Sequence, residues 1–374
     1  MSNLYFHYPF CKQACHYCNF HFSTTLKHKN AMGEAMKKEL TIRSNEINLP
    51  LESIYFGGGS PSLLSPQEIG NLIDFITKKF KLIPNVEVTL EVNPDDVSAE
   101  YLSGIKAAGI NRLSLGVQSF SNRDLELMNR AHDRNQALKS LELIGKFFNN
   151  YTLDLIYGMP YSTLGEWEEN INTALSFNPP HLSSYALTVE EKTALHHQIE
   201  KGIVLPLPEE EVAKQYQFLI YKMEEFGYVN YEFSNFGKPN YFSVNNQNYW
   251  EGKPYLGIGP SAHSYDGERI RKWNVSNNHS YLKSLKDGEL SFEKEELTLK
   301  DRYNEYLMTG LRTLEGVSLD HVKKHFGQRY ALYLEEQAER HLADHFFYWD
   351  GDHLKISQSA KFLTDGLAAD LFRV

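Results

Sequence analysis

Six short runs rich in β-branched and aromatic residues, at 4–8, 53–56, 86–92, 112–117, 153–157 and 182–187, alternate with five helical patterns at about 30–46, 65–80, 98–108, 121–147 and 163–176. The strand-like runs are bounded by Gly, Pro, Asn or Ser, and the helical ones repeat apolar residues at three and four, as in Ile69, Leu72, Ile73 and Ile76. Ser65-Pro66-Gln67-Glu68 reads as a helix start, with an N-cap serine, proline at the first helical position and glutamate at the third. Strands that regularly alternate with helices imply a parallel sheet covered by helices, because each crossover must return the chain to the same end. Six units are too few for a closed eight-fold barrel. The expected fold is therefore α/β, a partial (β/α)6 barrel over residues 1–208. A doubly wound sheet satisfies the same periodicity. In both, ligands bind at the carboxyl ends of the strands.

Leu205-Pro206-Leu207-Pro208 reads as a linker. Residues 209–297 are expected to form a loop-rich extension of the barrel, beginning with a helix at 209–226. Residues 298–374 are expected to form a small C-terminal module. It has helices near 299–313, 318–325, 329–344 and 360–371, and a hairpin of 346–349 with 353–356 around Asp350-Gly351-Asp352. Helices followed by a hairpin suggest a winged-helix-like unit. The net charge of −10 and the lack of a basic stripe argue against nucleic acid as a partner. No apolar run of membrane-spanning length occurs, and no basic-then-apolar leader opens the chain, so the expected location is the cytoplasm.

All three cysteines fall within eight residues, Cys11-Lys12-Gln13-Ala14-Cys15-His16-Tyr17-Cys18, directly after the first expected strand. An odd number cannot close into intrachain disulfides, and thiols this concentrated suggest a metal or cluster site. Thiolates ligate iron–sulfur clusters, and three of them on a [4Fe–4S] cube leave one iron open to a small chelating molecule. Zinc with His7, His16 or His21 as fourth ligand is the alternative, although structural zinc usually uses two Cys pairs and this chain has no second pair. Three unrelated buried thiols are the remaining reading.

The C-x3-C-x2-C spacing, with Tyr17 before the last cysteine, resembles the radical S-adenosylmethionine (SAM) superfamily. Leu4-Tyr5-Phe6-His7-Tyr8-Pro9-Phe10-Cys11 narrows the resemblance to the oxygen-independent coproporphyrinogen oxidase group. Gly57-Gly58-Gly59-Ser60-Pro61-Ser62, Glu91-Val92-Asn93-Pro94, Gly116-Val117-Gln118-Ser119-Phe120 and Asp154-Leu155-Ile156-Tyr157-Gly158-Met159-Pro160 follow in order. The resemblance covers nearly the whole chain, including the C-terminal, HemN-like module. Within that group, the coproporphyrinogen III dehydrogenase branch has a longer N-terminal extension and a fourth cysteine two residues past the triad. Here that position is Phe20 and ten residues precede Cys11. Both departures resemble the haem-chaperone (HemW) branch, whose members are understood to carry haem to respiratory proteins.

The resemblance implies a [4Fe–4S] cluster on Cys11, Cys15 and Cys18, SAM chelated at its open iron, and one-electron cleavage to a 5′-deoxyadenosyl radical. The cofactor carries that chemistry while the protein orients it. The loop Gly58-Gly59-Ser60 would touch the methionine amino group, or else be a tight turn. Glu91 and Gln118, at strand ends, would converge on the ligand or simply cap their strands. Arg130 would pair with the cofactor carboxylate through its planar fork, or be a charge on a surface helix. Asp154 would accept from a ribose hydroxyl, and a carboxylate there needs a partner if buried. Tyr5 and Tyr17 would pack near cluster and cofactor or serve as plain core. Haem and haem-accepting proteins are the further implied partners. The branch's His-Asn-x-x-Tyr-Trp motif reads here Asn245-Asn246-Gln247-Asn248-Tyr249-Trp250, with asparagine in place of the histidine. His263, in the Gly-rich stretch 257–264, is the alternative haem ligand, since imidazole commonly binds haem iron. Three functions compete: a haem chaperone, a radical oxidoreductase acting on a porphyrinogen, and a binding protein whose cluster is only structural.

Overall fold

A computed structural model describes residues 2–374. Strands β1 (Ser2–Tyr8), β2 (Leu51–Gly58), β3 (Leu82–Val92), β4 (Arg112–Gln118), β5 (Tyr151–Tyr157) and β6 (His181–Ala186) lie side by side in chain order, all parallel. That order decides between the two expected architectures. A doubly wound sheet reverses direction at a switch point, whereas consecutive right-handed crossovers put every connecting helix on one face. The helices are α1 (Lys29–Ile42), α2 (Pro66–Lys79), α3 (Ala99–Ala107), α4 (Asn122–Leu127), α5 (Arg134–Phe147) and α6 (Leu164–Ser176). Capping boxes start α2 at Ser65/Glu68, α5 at Asp133/Gln136 and α6 at Thr163/Glu166.

Strand periodicity of two sorts the side chains. Under the helices runs one register row, Phe6–Phe56–Leu90–Leu113–Tyr151, each residue at most 5% exposed. Burying a large apolar side chain of this kind contributes roughly 1.5–3 kcal/mol. The opposite face is polar. Glu91, Ser114 and Thr152 form one row, and Gly116, Asp154 and Ser183 the next. The fold thus leaves a polar inner face facing no helix.

After β6 come α7 (Ala194–Glu200), α8 (Glu209–Glu225), β7 (Val229–Glu232), β8 (Asn235–Gly237), α9 (Val244–Trp250), β9 (Tyr255–Ile258), β10 (His263–Tyr265), β11 (Ile270–Asn274), α10 (Asn278–Asp287) and β12 (Phe292–Glu296). The stretch 228–295 is therefore more regular than its loop-rich composition suggests. These strands of three to five residues join the sheet at its two ends, giving the order β12-β11-β10-β9-β1-β2-β3-β4-β5-β6-β8-β7. The outermost strands, β12 and β7, do not pair, so the sheet stays open.

The expected C-terminal helices and hairpin are present as α11 (Leu299–Leu311), β13 (Val317–Ser318), α12 (Leu319–Phe326), α13 (Gln328–Ala343), β14 (Phe347–Asp350), β15 (His353–Ile356) and α14 (Thr364–Ala369). Tyr303, Leu307, Val322, Leu334, Leu354 and Leu371 lie in a buried cluster distinct from that under the main sheet. No helix among the described residues is long and apolar enough to cross a membrane.

One sequence expectation fails instructively. The helix expected over 121–147 is two helices, α4 and α5, separated by Met128–Asp133. Asn129 takes a left-handed conformation there, φ 55°, which asparagine tolerates better than most residues. Arg130 lies in this break and not on a surface helix face.

Candidate functional site

A cavity of about 480 Å³ opens at the carboxyl ends of β1–β6 and runs down the polar face. Its rim carries Cys11, Cys15 and Cys18, all half-buried and free of disulfides. The loop bearing them is pinned by main-chain bonds: Cys11 N–H to Ser23 O (3.1 Å), His16 N–H to Met128 O (3.0 Å), and Leu195 N–H of α7 to His16 O (2.9 Å). Side chains add to this. Gln13 donates to Asn129 Oδ1 (2.8 Å), and Asn129 Nδ2 donates to Ala14 O (2.7 Å). The same left-handed residue that breaks the helix thus grips the cysteine loop.

Burial raises the Cys11 thiol to about 11 and moves Cys18 in the same direction. Metal binding here would therefore release protons. A mononuclear zinc would need its thiolates roughly 3.8 Å apart, for bonds of about 2.3 Å. No three donor atoms of the cysteine loop and its histidines lie within 4.8 Å of one another among the described residues. Of the candidate fourth zinc ligands, His7 has both ring nitrogens engaged, and His16 and His21 have one each. His7 Nε2 contacts His21 O (2.8 Å), His16 Nδ1 contacts Leu127 O (2.9 Å), and His21 Nε2 contacts Asn278 Oδ1 (2.7 Å). The three thiols therefore do not form a preformed mononuclear metal site among the described residues.

Arg130 enters the cavity from the break between α4 and α5. Its Nη2 donates to Asn93 Oδ1 and Gly116 O, both at 2.8 Å, and its Nη1 reaches Cys15 Sγ at 3.5 Å. Nε is buried and has no partner. A buried guanidinium N–H left unsatisfied costs on the order of 1–3 kcal/mol. Gln118 lines the same wall at φ 67°. Tyr17 closes it, packed against Leu125, Met128, Ile156 and Met159.

The glycine run has a structural reason besides ligand approach. Cβ atoms would meet Glu91 Oε1 at 2.8 Å from Gly57, the His7 ring at 2.8 Å from Gly58, and Phe10 O at 2.6 Å from Gly59. Only glycine lets β2 end this close to the chain leading into Cys11. Gly58, Gly59 and Ser60 still line the cavity. Ser60 Oγ accepts from Asn93 Nδ2 (3.1 Å).

Deeper in the cavity, Glu91 accepts from Tyr55 OH (2.9 Å) and Asp154 from Ser114 Oγ (2.8 Å). Burial pushes Glu91 up to about 7, with the Asp154 charge adding to it, and pushes Asp154 up to about 6. Both folded-state values exceed those of unfolded carboxyls. Between the two values the native state keeps protons that the unfolded chain has released, so native stability falls as the pH rises from about 4 to 7. In the apoprotein the loss expected from Glu91 is on the order of 2 kcal/mol. Denaturant melts of anaerobic apoprotein at pH 5 and 7.5 would show it, and Glu91→Gln should flatten the difference. Equal slopes for both proteins would contradict the assignment.

Tyr5 does not line the cavity. It stacks on Tyr55, with centroids 6.0 Å apart, and donates to His7 Nδ1 (3.3 Å). Asn245 lies at the other end of the sheet. Its Oδ1 accepts from Ser53 Oγ (3.2 Å) and its N–H donates to Glu87 (3.2 Å), so α9 closes the amino end of the strands. His263 opens β10 at the cysteine end, exposed, its ring stacked on Trp273. Sequence reasoning passed over Tyr55, Asn93, Arg112, Ser114, Ser183 and Tyr185 on the cavity wall. The available signal was a polar residue at alternate positions of apolar strands.

Residues 5–174 match the Radical SAM superfamily, and 297–363 match the HemN C-terminal domain. The heme chaperone HemW of Bacillus subtilis is 36% identical over 90% of this chain and 88% of its own length. The HemW of Mycobacterium tuberculosis is 31% identical over 98% and 94%. Among solved structures, coproporphyrinogen III oxidase (HemN) of Escherichia coli superposes with a TM-score of 0.86 over 99% of this chain and 90% of that one, at 20% identity. That likeness shows the shared fold. Taken with the cysteine rim, the open parallel sheet and the matched C-terminal domain, the identities place this chain in the HemW family of radical SAM proteins.

Proposed function

We propose that the protein is a haem chaperone that holds a [4Fe–4S] cluster and SAM and passes haem to haem-dependent proteins such as respiratory enzymes. The observation that carries this reading is that relatives named heme chaperone HemW, 31–36% identical, align with 84–98% of the chain. Cys11, Cys15 and Cys18 would hold the cluster. The Arg130 guanidinium would take the cofactor carboxylate, and the edge formed by Gly58, Gly59 and Ser60 its amino group. Glu91 and Gln118 would orient it from the strand ends, Asp154 would accept from the ribose, and Tyr17 would exclude water beside the cluster. When bound, the cluster supplies one electron for reductive cleavage of a carbon–sulfur bond of SAM. Phe20, 67% exposed on the cavity rim, occupies the position where the dehydrogenase branch has its fourth cysteine. The reading places the protein in the cytoplasm.

The test uses anaerobically reconstituted protein. Added haem should give a Soret band, and that band should move to an apo-haemoprotein on mixing. Incubation with coproporphyrinogen III, reductant and SAM should leave the porphyrinogen unchanged. Accumulation of protoporphyrinogen IX would overturn the chaperone reading in favour of the oxidoreductase. His263→Ala examines the imidazole at the cysteine end, and an unchanged haem spectrum would eliminate it as the ligand.

A further inference from the structure

We infer that α7 carries a second metal site, taking one divalent transition-metal ion on His196, His197 and Glu200. The inference rests on neither the haem reading nor the cluster. Among the described residues, these three are the one group of His, Cys, Asp or Glu ligands whose donor atoms all lie within 4.8 Å of one another. His196 Nδ1 is 3.6 Å and His197 Nδ1 3.3 Å from the same carboxylate oxygen, Glu200 Oε2. For metal–ligand bonds of about 2.0–2.1 Å, the edge of a tetrahedron is roughly 3.3–3.4 Å. Both separations are therefore close to what an ion held between them would impose.

The surroundings fit entry and capture of an ion. His196 Nδ1 is buried without a hydrogen-bond partner. The side chains of His197 and Glu200 are about 60% exposed, so an ion has access. Without an ion, a neutral His197 can donate Nδ1–H to Glu200 Oε2 (3.3 Å), whereas His196 Nδ1, at 3.6 Å from the same oxygen, makes no hydrogen bond. Two imidazole nitrogens and one carboxylate oxygen suit zinc, cobalt, nickel or ferrous ions better than magnesium or calcium, which prefer oxygen ligands. Haem does not fit, because its macrocycle leaves one coordination position per face and three donors converge here from one side. Three protein ligands leave a position for water. The site adjoins the cysteine loop through the Leu195 N–H bond to His16 O, so a bound ion would steady that contact.

The test is a zinc titration of cluster-loaded protein, in which the thiols are already engaged. Calorimetry should give one saturable equivalent. The zinc X-ray absorption edge should show nitrogen and oxygen neighbours at about 2.0 Å and no sulfur shell near 2.3 Å. His197→Ala and Glu200→Gln should each weaken binding at least tenfold while leaving the metal-free melting temperature unchanged. Amide exchange at Leu195 should slow on zinc addition in the unsubstituted protein alone. Three results would overturn the site: no saturable uptake, equal affinity in a His196→Ala/His197→Ala double variant, or a sulfur shell. The second would assign the ion to others of the 15 histidines, and the third to the cysteine rim.

Discussion

Replacing Cys11, Cys15 or Cys18 singly by alanine is expected to abolish cluster assembly. Anaerobic reconstitution of the unsubstituted chain should yield about four irons and four sulfides per molecule. Each variant should retain less than about one of either, and SAM cleavage should disappear with the cluster's absorbance. The chain has no fourth thiol to substitute for a lost one, and two remaining ligands would leave half the cube's corners unheld. The loss should be chemical and not conformational. The loop is half-buried and is fastened through main-chain bonds to Ser23, Met128 and Leu195, none of which involves a sulfur. Melting temperatures of the three apo variants should therefore match that of the unsubstituted apoprotein. A single variant that keeps a full complement of iron and sulfide would refute the assignment of that cysteine.

Arg130→Met should give the next largest effect, and a separable one. It removes a guanidinium that lines the cavity, with its buried unpaired Nε and its bonds to Asn93 and Gly116 O. Charge-assisted bonds to a carboxylate are about twice as strong as neutral ones. Losing that contact should cost about 2–3 kcal/mol, roughly thirty- to hundredfold in SAM affinity, while the two stranded acceptors cost stability with or without SAM. Iron and sulfide should be retained, since Arg130 only touches Cys15 Sγ at 3.5 Å. Arg130→Lys should rescue little, because an ammonium cannot hold Asn93, Gly116 and a ligand in one plane. Equilibrium dialysis with SAM on cluster-loaded protein decides the matter. Unchanged affinity in Arg130→Met would remove this residue from the binding site.

The parallel core was legible because its signals are local. Runs such as 112–117 and 153–157 are apolar, β-rich and closed by turn residues, and the cysteine motif sits where a strand must end. Two features were not legible, for different reasons. The break at Met128–Asp133 contains no glycine or proline and keeps a helical rhythm, and only the conformation of Asn129 ends the helix. The strands of 228–296 are too short to declare themselves, and pairing with the edges of an existing sheet is what makes them strands. The His196, His197 and Glu200 group is hidden for a third reason: adjacent histidines point apart on an average helix, and their convergence depends on side-chain conformation. The polar inner face lay between these extremes, visible as alternation in β3–β6 but without any indication of which residues meet.

Asn129 unites two jobs that are usually separate. Its backbone turns Arg130 inward, while its side chain clasps Ala14 O and Gln13. If the cysteine loop holds the cluster and Arg130 the cofactor, as proposed, the two share one mechanical anchor, and retuning either would disturb the other. A chain that lost its cluster would keep the arginine aimed, ready to accept the cube again without refolding.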